Sequence, residues 1–155
     1  MPVAEGRRHA QATGAGGLTR NNVGFLLVKA SQHWNELLHK HFTAAGYPEV
    51  RPAYGSLLIP LYEEDGLRQG ELARRARLSK QTMTTMARAL ERAGLVERRA
   101  DPEDARATRL YLTSRAHDFR PVAERVLAEL DELAAQSLPL QMPALRTTLQ
   151  RLIDL

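Results

Sequence analysis

After Ser79, the residues Gln81, Thr84, Thr85 and Arg88 stand at i, i+3, i+4 and i+7, one side of a helix. An amide, two hydroxyls and a guanidinium on one face are poor tools for acid–base or nucleophilic catalysis. They suit hydrogen bonding to the edges of bases: Gln pairs bidentately with adenine, Arg with guanine, and Thr touches the thymine methyl. Ser79 and Lys80, at the start of the same stretch, suit phosphates, and Thr82 suits either. A second polar group lies downstream, where Arg98, Asp104 and Arg106 fall in and around the charged run Asp101–Arg106. A long cation near the tip of a loop can follow a narrow minor groove. Asp104 is expected to orient a wing arginine while Arg106 makes the contact. Arg98 and Arg99 could pair with Asp101 or Asp104, or touch phosphates.

The elements that must hold these groups follow from apolar spacing. Leu72, Ala73 and Ala76 fit one face of a short helix. Arg77-Leu78 leads into Ser79, a favoured N-cap. Met83, Met86, Ala87 and Leu90 then form one stripe, opposite the polar face, and Gly94 stops the helix. Two helices joined by a tight turn, the second polar on its outer side, make a helix-turn-helix that starts at Gln69. Leu95–Arg99 and Ala107–Leu112 alternate like half-buried strands on either side of the Asp101-Pro102 turn and form a two-stranded wing.

The flanks are helical. Thr19–Ala45 reads as a long helix capped by Asn21 or Asn22 and ended by Gly46 and Pro48, with Phe25, Leu26, Leu37, Leu38 and Phe42 among its apolar residues. Pro52–Tyr62 reads as a second helix, in which Pro60 predicts a kink or an early end near Ile59. Thr113 or Ser114 caps a further helix, interrupted or kinked early by Pro121. Val126, Leu127, Leu130, Leu133 and Ala134 form its stripe. Pro139 and Pro143 punctuate the link to a last helix carrying Leu145, Leu149, Leu152 and Ile153. Residues 1–17 contain little to pack and read as a flexible tail, with Arg7, Arg8 and His9 the only candidates for a basic arm.

Composition narrows the function classes. Net charge is +4, yet Arg68–Arg99 alone holds nine basic residues against three acidic ones, +6, as expected for a phosphate-binding module. There is no cysteine, which excludes disulfides, thiolate zinc sites and a cysteine nucleophile. His39 and His41 do not share a helical face, and His33 and His41 are eight residues apart, about 12 Å along a helix, too far for one ion. No metal and no cofactor are expected. The nucleophile elbow, the His-Glu-x-x-His pair and the dinucleotide fingerprint are all missing, which argues against an enzyme. No apolar run approaches the roughly 20 residues that span a bilayer. No signal peptide is evident, so a cytoplasmic protein without a membrane partner is expected.

Taken together, Gly70-Glu71-Leu72-Ala73, Leu78-Ser79-Lys80-Gln81-Thr82, Leu90 to Arg98, Asp101 to Arg106 and Leu110-Tyr111-Leu112-Thr113 resemble, in that order, the MarR family of winged-helix transcriptional regulators. The resemblance implies a mainly α (α+β) fold: a winged helix-turn-helix over 51–113 flanked by dimerisation helices over 18–46 and 114–155, in a single domain. It implies a homodimer on a pseudo-palindromic operator in double-stranded DNA, most commonly a repressor. It also implies a small aromatic or anionic effector, for which His33, Trp34, Arg51, Tyr54 and Tyr62 are the candidate contacts. Asp104 and Arg106 match the family's Asp-x-Arg wing element. The DNA-binding set is then Ser79, Lys80, Gln81, Thr82, Thr84, Thr85, Arg88, Arg98, Asp104 and Arg106. The alternative is a winged-helix interaction module, or an architectural DNA binder, that answers to no small molecule.

Overall fold

The computed structural model describes residues 18–155, so the tail and its arginines at 7 and 8 lie outside the described residues. The chain divides into two units, one ending at Trp34 and the other spanning Asn35–Leu155. Helix α1 (Val23–Ala44) begins in the first. Asn22 caps it, its side chain accepting from the backbone N–H of Gly24 at 3.0 Å. In the first unit its apolar residues Val23, Phe25, Leu26 and Val28 are exposed.

The second unit contains the rest of α1, whose Leu38 and Phe42 are buried, and everything downstream. Gly46, at φ +91°, closes α1: the N–H of Tyr47 reaches the carbonyl of Phe42 and that of Gly46 reaches Thr43. A 3₁₀ turn (Pro52–Tyr54) leads into α2 (Gly55–Glu63). α2 does not end near Ile59. It runs through Pro60 to Glu63, because Leu57, Leu58 and Leu61 are buried on its inner side, while the carbonyl that Pro60 leaves without a donor belongs to exposed Ser56. α5 (Ser114–Ser137) likewise runs unbroken through Pro121, with Val126 and Leu130 buried; its unpaired carbonyl belongs to exposed His117. Thr113 caps α5 by accepting from Ala116 N–H and donates its hydroxyl to the carbonyl of Gly94 at 2.6 Å. α6 (Met142–Ile153) has no buried residue.

Between α2 and α5 lie α3 (Gln69–Arg75), α4 (Lys80–Arg92), β2 (Val96–Ala100) and β3 (Thr108–Leu112). The wing is not limited to two strands. Leu67–Arg68 forms a short β1 on the other edge of β3, giving an antiparallel sheet in the order β1-β3-β2. Leu67 pairs with Leu110 and Val96 with Leu112, which gives the sheet an apolar inward patch beside half-buried Arg98, itself opposite Leu110. The patch meets Leu72, Met83, Ala87 and Leu90, each at most 1% exposed. Each leucine sealed in this way contributes about 1.5–3 kcal/mol from removal of apolar surface from water. Packing of this kind, more than helix propensity, holds helices as short as α3.

Candidate nucleic-acid interface

The helix-turn-helix is built by two different helix endings. α3 ends with Arg77 in the left-handed region at φ +53°, where Leu78 N–H bonds back to Ala73 at 2.9 Å and Arg77 N–H to Arg74 at 3.2 Å. α4 starts at Ser79, whose Oγ accepts from Thr82 N–H at 3.1 Å and donates to Thr82 Oγ1 at 2.8 Å. Gly94, at φ +71°, closes α4 with bonds from Leu95 to Leu90 and from Gly94 to Glu91. The stripe predicted for α4 is inward, with Met83, Ala87 and Leu90 buried and Met86 half-buried.

On the outer side, Ser79, Lys80, Gln81, Thr82, Thr85 and Arg88 are all exposed. Thr84 departs from the expected set. It is half-buried, and its hydroxyl donates to the carbonyl of Lys80 at 2.9 Å and accepts from Gln69 Nε2 at 3.2 Å. That geometry makes it a brace between α3 and α4.

The cationic window is largely neutralised, by its own three carboxylates and by Glu64, Asp101 and Asp154 from outside it. Glu71 accepts from Arg74 and Arg75, and Arg75 also reaches Glu64 at 2.6 Å. These bonds, Arg74's first, pull the Glu71 carboxyl down to about 2. Arg77 donates to the carbonyl of Ile153 at 2.9 Å and lies 3.4 Å from Asp154. Arg99 pairs with Glu97 at 2.7 Å and stacks over Tyr111 at 4.6 Å. Arg98 is half-buried and 3.7 Å from Glu91, so neither Arg98 nor Arg99 pairs with Asp101 or Asp104 as expected from sequence. Of the nine basic residues of the window, Lys80, Arg88 and Arg92 are left without an ion pair, and all three lie on α4. The positive charge available to a polyanion is therefore much narrower than +6 and sits on the reading helix.

The wing carries the main surprise. In the register of the sheet, Arg109 on β3 lies opposite Arg68 on one side and Arg99 on the other, three guanidinium side chains in a row. Like charges directly across a sheet repel. Asp101, 3% exposed, answers them: its Oδ2 accepts from Arg68 Nε at 2.6 Å and from Arg109 Nε at 2.8 Å, and its Oδ1 accepts from Glu103 N–H at 2.8 Å. The Glu103 N–H and the two guanidiniums hold its carboxyl near 2 despite burial. Arg109 also donates to the carbonyl of Gly66 at 2.8 Å. Asp104 has a smaller part. Its Oδ1 accepts from the N–H of Arg106 at 3.0 Å and lies 3.3 Å from that residue's Nε, while the Arg106 side chain is 93% exposed. Arg68, Asp101 and Arg109 escaped the sequence reading because only the register of β1, a strand of two residues, brings them together.

A cleft of about 590 Å³ lies beside α4 and the wing, lined by Arg68, Gln69, Glu71, Lys80, Arg98, Arg106 and their neighbours. Gln69 Oε1 and Arg98 Nε, both from residues on its wall, are buried without a hydrogen-bond partner. None of the five candidate effector residues lines it. Arg51 is exposed and Tyr54 half-buried. Tyr62 donates its hydroxyl to the carbonyl of Ala116 at 2.6 Å, and burial pushes its phenol up to about 12, which gives it a packing role. On α1, His33 is exposed and Trp34 half-buried. Among the described residues no group of three His, Asp or Glu is placed to hold a metal ion, and no helix is long and apolar enough to cross a membrane.

A braced pair of short helices, an exposed polar face on the second and a hairpin beside it define a winged helix-turn-helix. Residues 52–108 match the sequence profile of the MarR family. No curated protein matches it in sequence. Among solved structures it is similar to a probable transcriptional regulator from Pseudomonas aeruginosa, at 26% identity over 85% of this chain and 97% of that one, with a TM-score of 0.73. It shares its fold with the PcaV transcriptional regulator from Streptomyces coelicolor, solved with its natural ligand, at 21% identity over 90% and 96% of the two chains and a TM-score of 0.71. It also shares it with the transcriptional repressor CouR bound to a 23-mer DNA duplex, at 23% identity over 87% and 99% and a TM-score of 0.65.

Proposed function

We propose that the chain is a sequence-specific, ligand-responsive transcriptional repressor that binds a pseudo-palindromic DNA operator as a homodimer in the cytoplasm. The observation that carries this reading is the outer side of α4, where Gln81, Thr85 and Arg88 are exposed beside Lys80 and every paired arginine of the window is turned to other work. The duplex bound to CouR and the ligand of PcaV, both on the same fold, support DNA and a small effector as partners. The dimer is supported by unburied leucines at 145, 149 and 152 on α6 and at 127 and 133 on α5. Exposed apolar area of that extent marks an interaction surface.

The test is selection of bound sequences from random duplex DNA, followed by anisotropy titrations at several salt concentrations. A two-fold symmetric motif is expected, with half-sites about 34 Å apart. Gln81→Ala and Arg88→Ala each cost about 1–3 kcal/mol on the selected site and relax preference at one position, while Thr84→Val leaves the preference unchanged. Absence of any enriched motif overturns the reading. Sedimentation should give a mass near twice 17.3 kDa. A screen of small aromatic acids that release the DNA addresses the effector.

A further inference from the structure

We propose that Asp101, rather than Asp104, is the positioning residue that fixes the wing against the start of the helix-turn-helix and thereby sets where Arg106 meets DNA. The inference rests on the DNA-binding reading above and concerns how its wing is aimed. The loop between β2 and β3 is closed at its base by Asp101, whose N–H donates to the carbonyl of Ala107 at 3.0 Å and whose Oδ1 takes the N–H of Glu103. The same side chain, with no exposed surface of its own, ties that base to Arg68 of β1 and Arg109 of β3. Arg68 is also the N-cap residue of α3, immediately before its first turn. One carboxylate thus joins the loop, the central strand and the entrance to the reading unit. The Asp104 side chain bonds only to Arg106, within the loop, and its backbone carbonyl accepts from Ala107 N–H at 2.9 Å, so it reaches neither β1 nor α3.

Charge counting makes the opposite forecast. Removing a negative charge from a DNA-facing module would strengthen non-specific attraction. If Asp101 aims the wing, its loss instead releases Arg68 and Arg109 and lets the loop wander. Contact with the flank of the operator is then lost even though net charge has become more positive.

The experiment measures anisotropy of the full chain with the selected operator carrying either A·T-rich or G·C-rich flanks. A narrow A·T-rich minor groove favours an inserted arginine. Asp101→Asn is expected to weaken binding about tenfold at the A·T-flanked site, in the range of a lost groove contact, and to erase the difference between flanks. Asp104→Asn is expected to change either site by less than about threefold. In an Arg106→Ala background, Asp101→Asn should add no further flank effect, which a merely destabilising change would not reproduce. Arg109→Gln, which breaks the same cluster from the other side, should copy the Asp101→Asn pattern and serves if that variant does not fold. Tighter binding by Asp101→Asn, unchanged flank discrimination in a cooperatively melting Asp101→Asn or Arg109→Gln, or additive losses with Arg106→Ala overturn the proposal. If the wild-type chain enriches no motif, the DNA-binding reading itself has failed, a distinct result.

Discussion

Position 77 offers a clean measurement of backbone strain in the turn of the helix-turn-helix. Arg77 sits at φ +53°, the one described non-glycine residue with positive φ, where Gly46 and Gly94 serve the same role at the ends of α1 and α4. A side chain in this region crowds its own carbonyl at a cost of about 1–2 kcal/mol. Glycine removes the crowding but gives the unfolded chain more freedom, offsetting about 0.4–1 kcal/mol. Arg77→Ala and Arg77→Gly both lose the bonds to Ile153 and Asp154. The Arg77 side chain is 67% exposed, and exposed pairs of this kind contribute about 0–1 kcal/mol. The comparison between the two variants therefore isolates the backbone. Arg77→Gly should be more stable than Arg77→Ala by roughly 0.5–1 kcal/mol, a gap in Tm of about 1–4 °C. Arg77→Gly should also fall within about 1 kcal/mol of the wild type, because relief of crowding and loss of the exposed link oppose each other. Urea and thermal unfolding followed by circular dichroism, without DNA, measure both. Equal stability of the alanine and glycine variants would show that the turn is not left-handed in solution and would refute the closing geometry assigned to α3.

Two further outcomes follow from the caps and carboxylates. Ser79→Ala should lower stability by about 1 kcal/mol by leaving the N–H of Thr82 uncapped, and Ser79→Asn should recover most of it; urea midpoints decide, and equal midpoints for all three chains would remove the cap from the account. Asp101 and Glu71 are both held near 2, below their ordinary 3.8 and 4.5, so the unfolded chain takes up their protons first as acid is added. The stability they supply is complete above about pH 5 and is lost as pH falls toward 2. Scanning calorimetry should show a flat Tm above that range and a decline below it, and Asp101→Asn or Glu71→Gln should flatten part of the decline.

Much of this architecture was legible locally. The Met83/Ala87/Leu90 stripe, the Ser79 cap and the Gly94 stop each depend on residues within seven positions of one another, and spacing alone reveals them. The prolines misled because the rule that proline breaks a helix weighs one lost bond. At Pro60 and Pro121 the orphaned carbonyl belongs to an exposed residue, and buried apolar residues (Leu57, Leu58 and Leu61 in α2; Phe119 and Val126 in α5) hold the helix in place. Thr84 carries a contact that its own sequence neighbourhood does not show. Its angular position on α4 is right for the polar face, but Gln69 comes from another helix and occupies its hydroxyl. Asp101 was the least legible. Its meaning depends on Arg68, 33 residues away, and Arg109, 8 residues away, which meet only in the folded sheet.

The brace between Gln69 and Thr84 has a consequence for how such a reading unit can be switched. α3 and α4 are joined at one end by a left-handed turn and at the other by a side-chain bridge, with Leu72 and Met83 sealed between them. A piece tied at both ends has no internal joint. Opening the helix pair would break this bridge and expose Leu72 and Met83, so the pair is expected to move as one piece. For a signal arriving from elsewhere in the chain, spreading the two helices apart is the costlier response. The alternative is to turn them together, about the segments that enter at Glu64–Gly66 and leave at Gly94. The unit behaves as a key whose teeth are cut in advance, and what can be regulated is the angle at which it is presented.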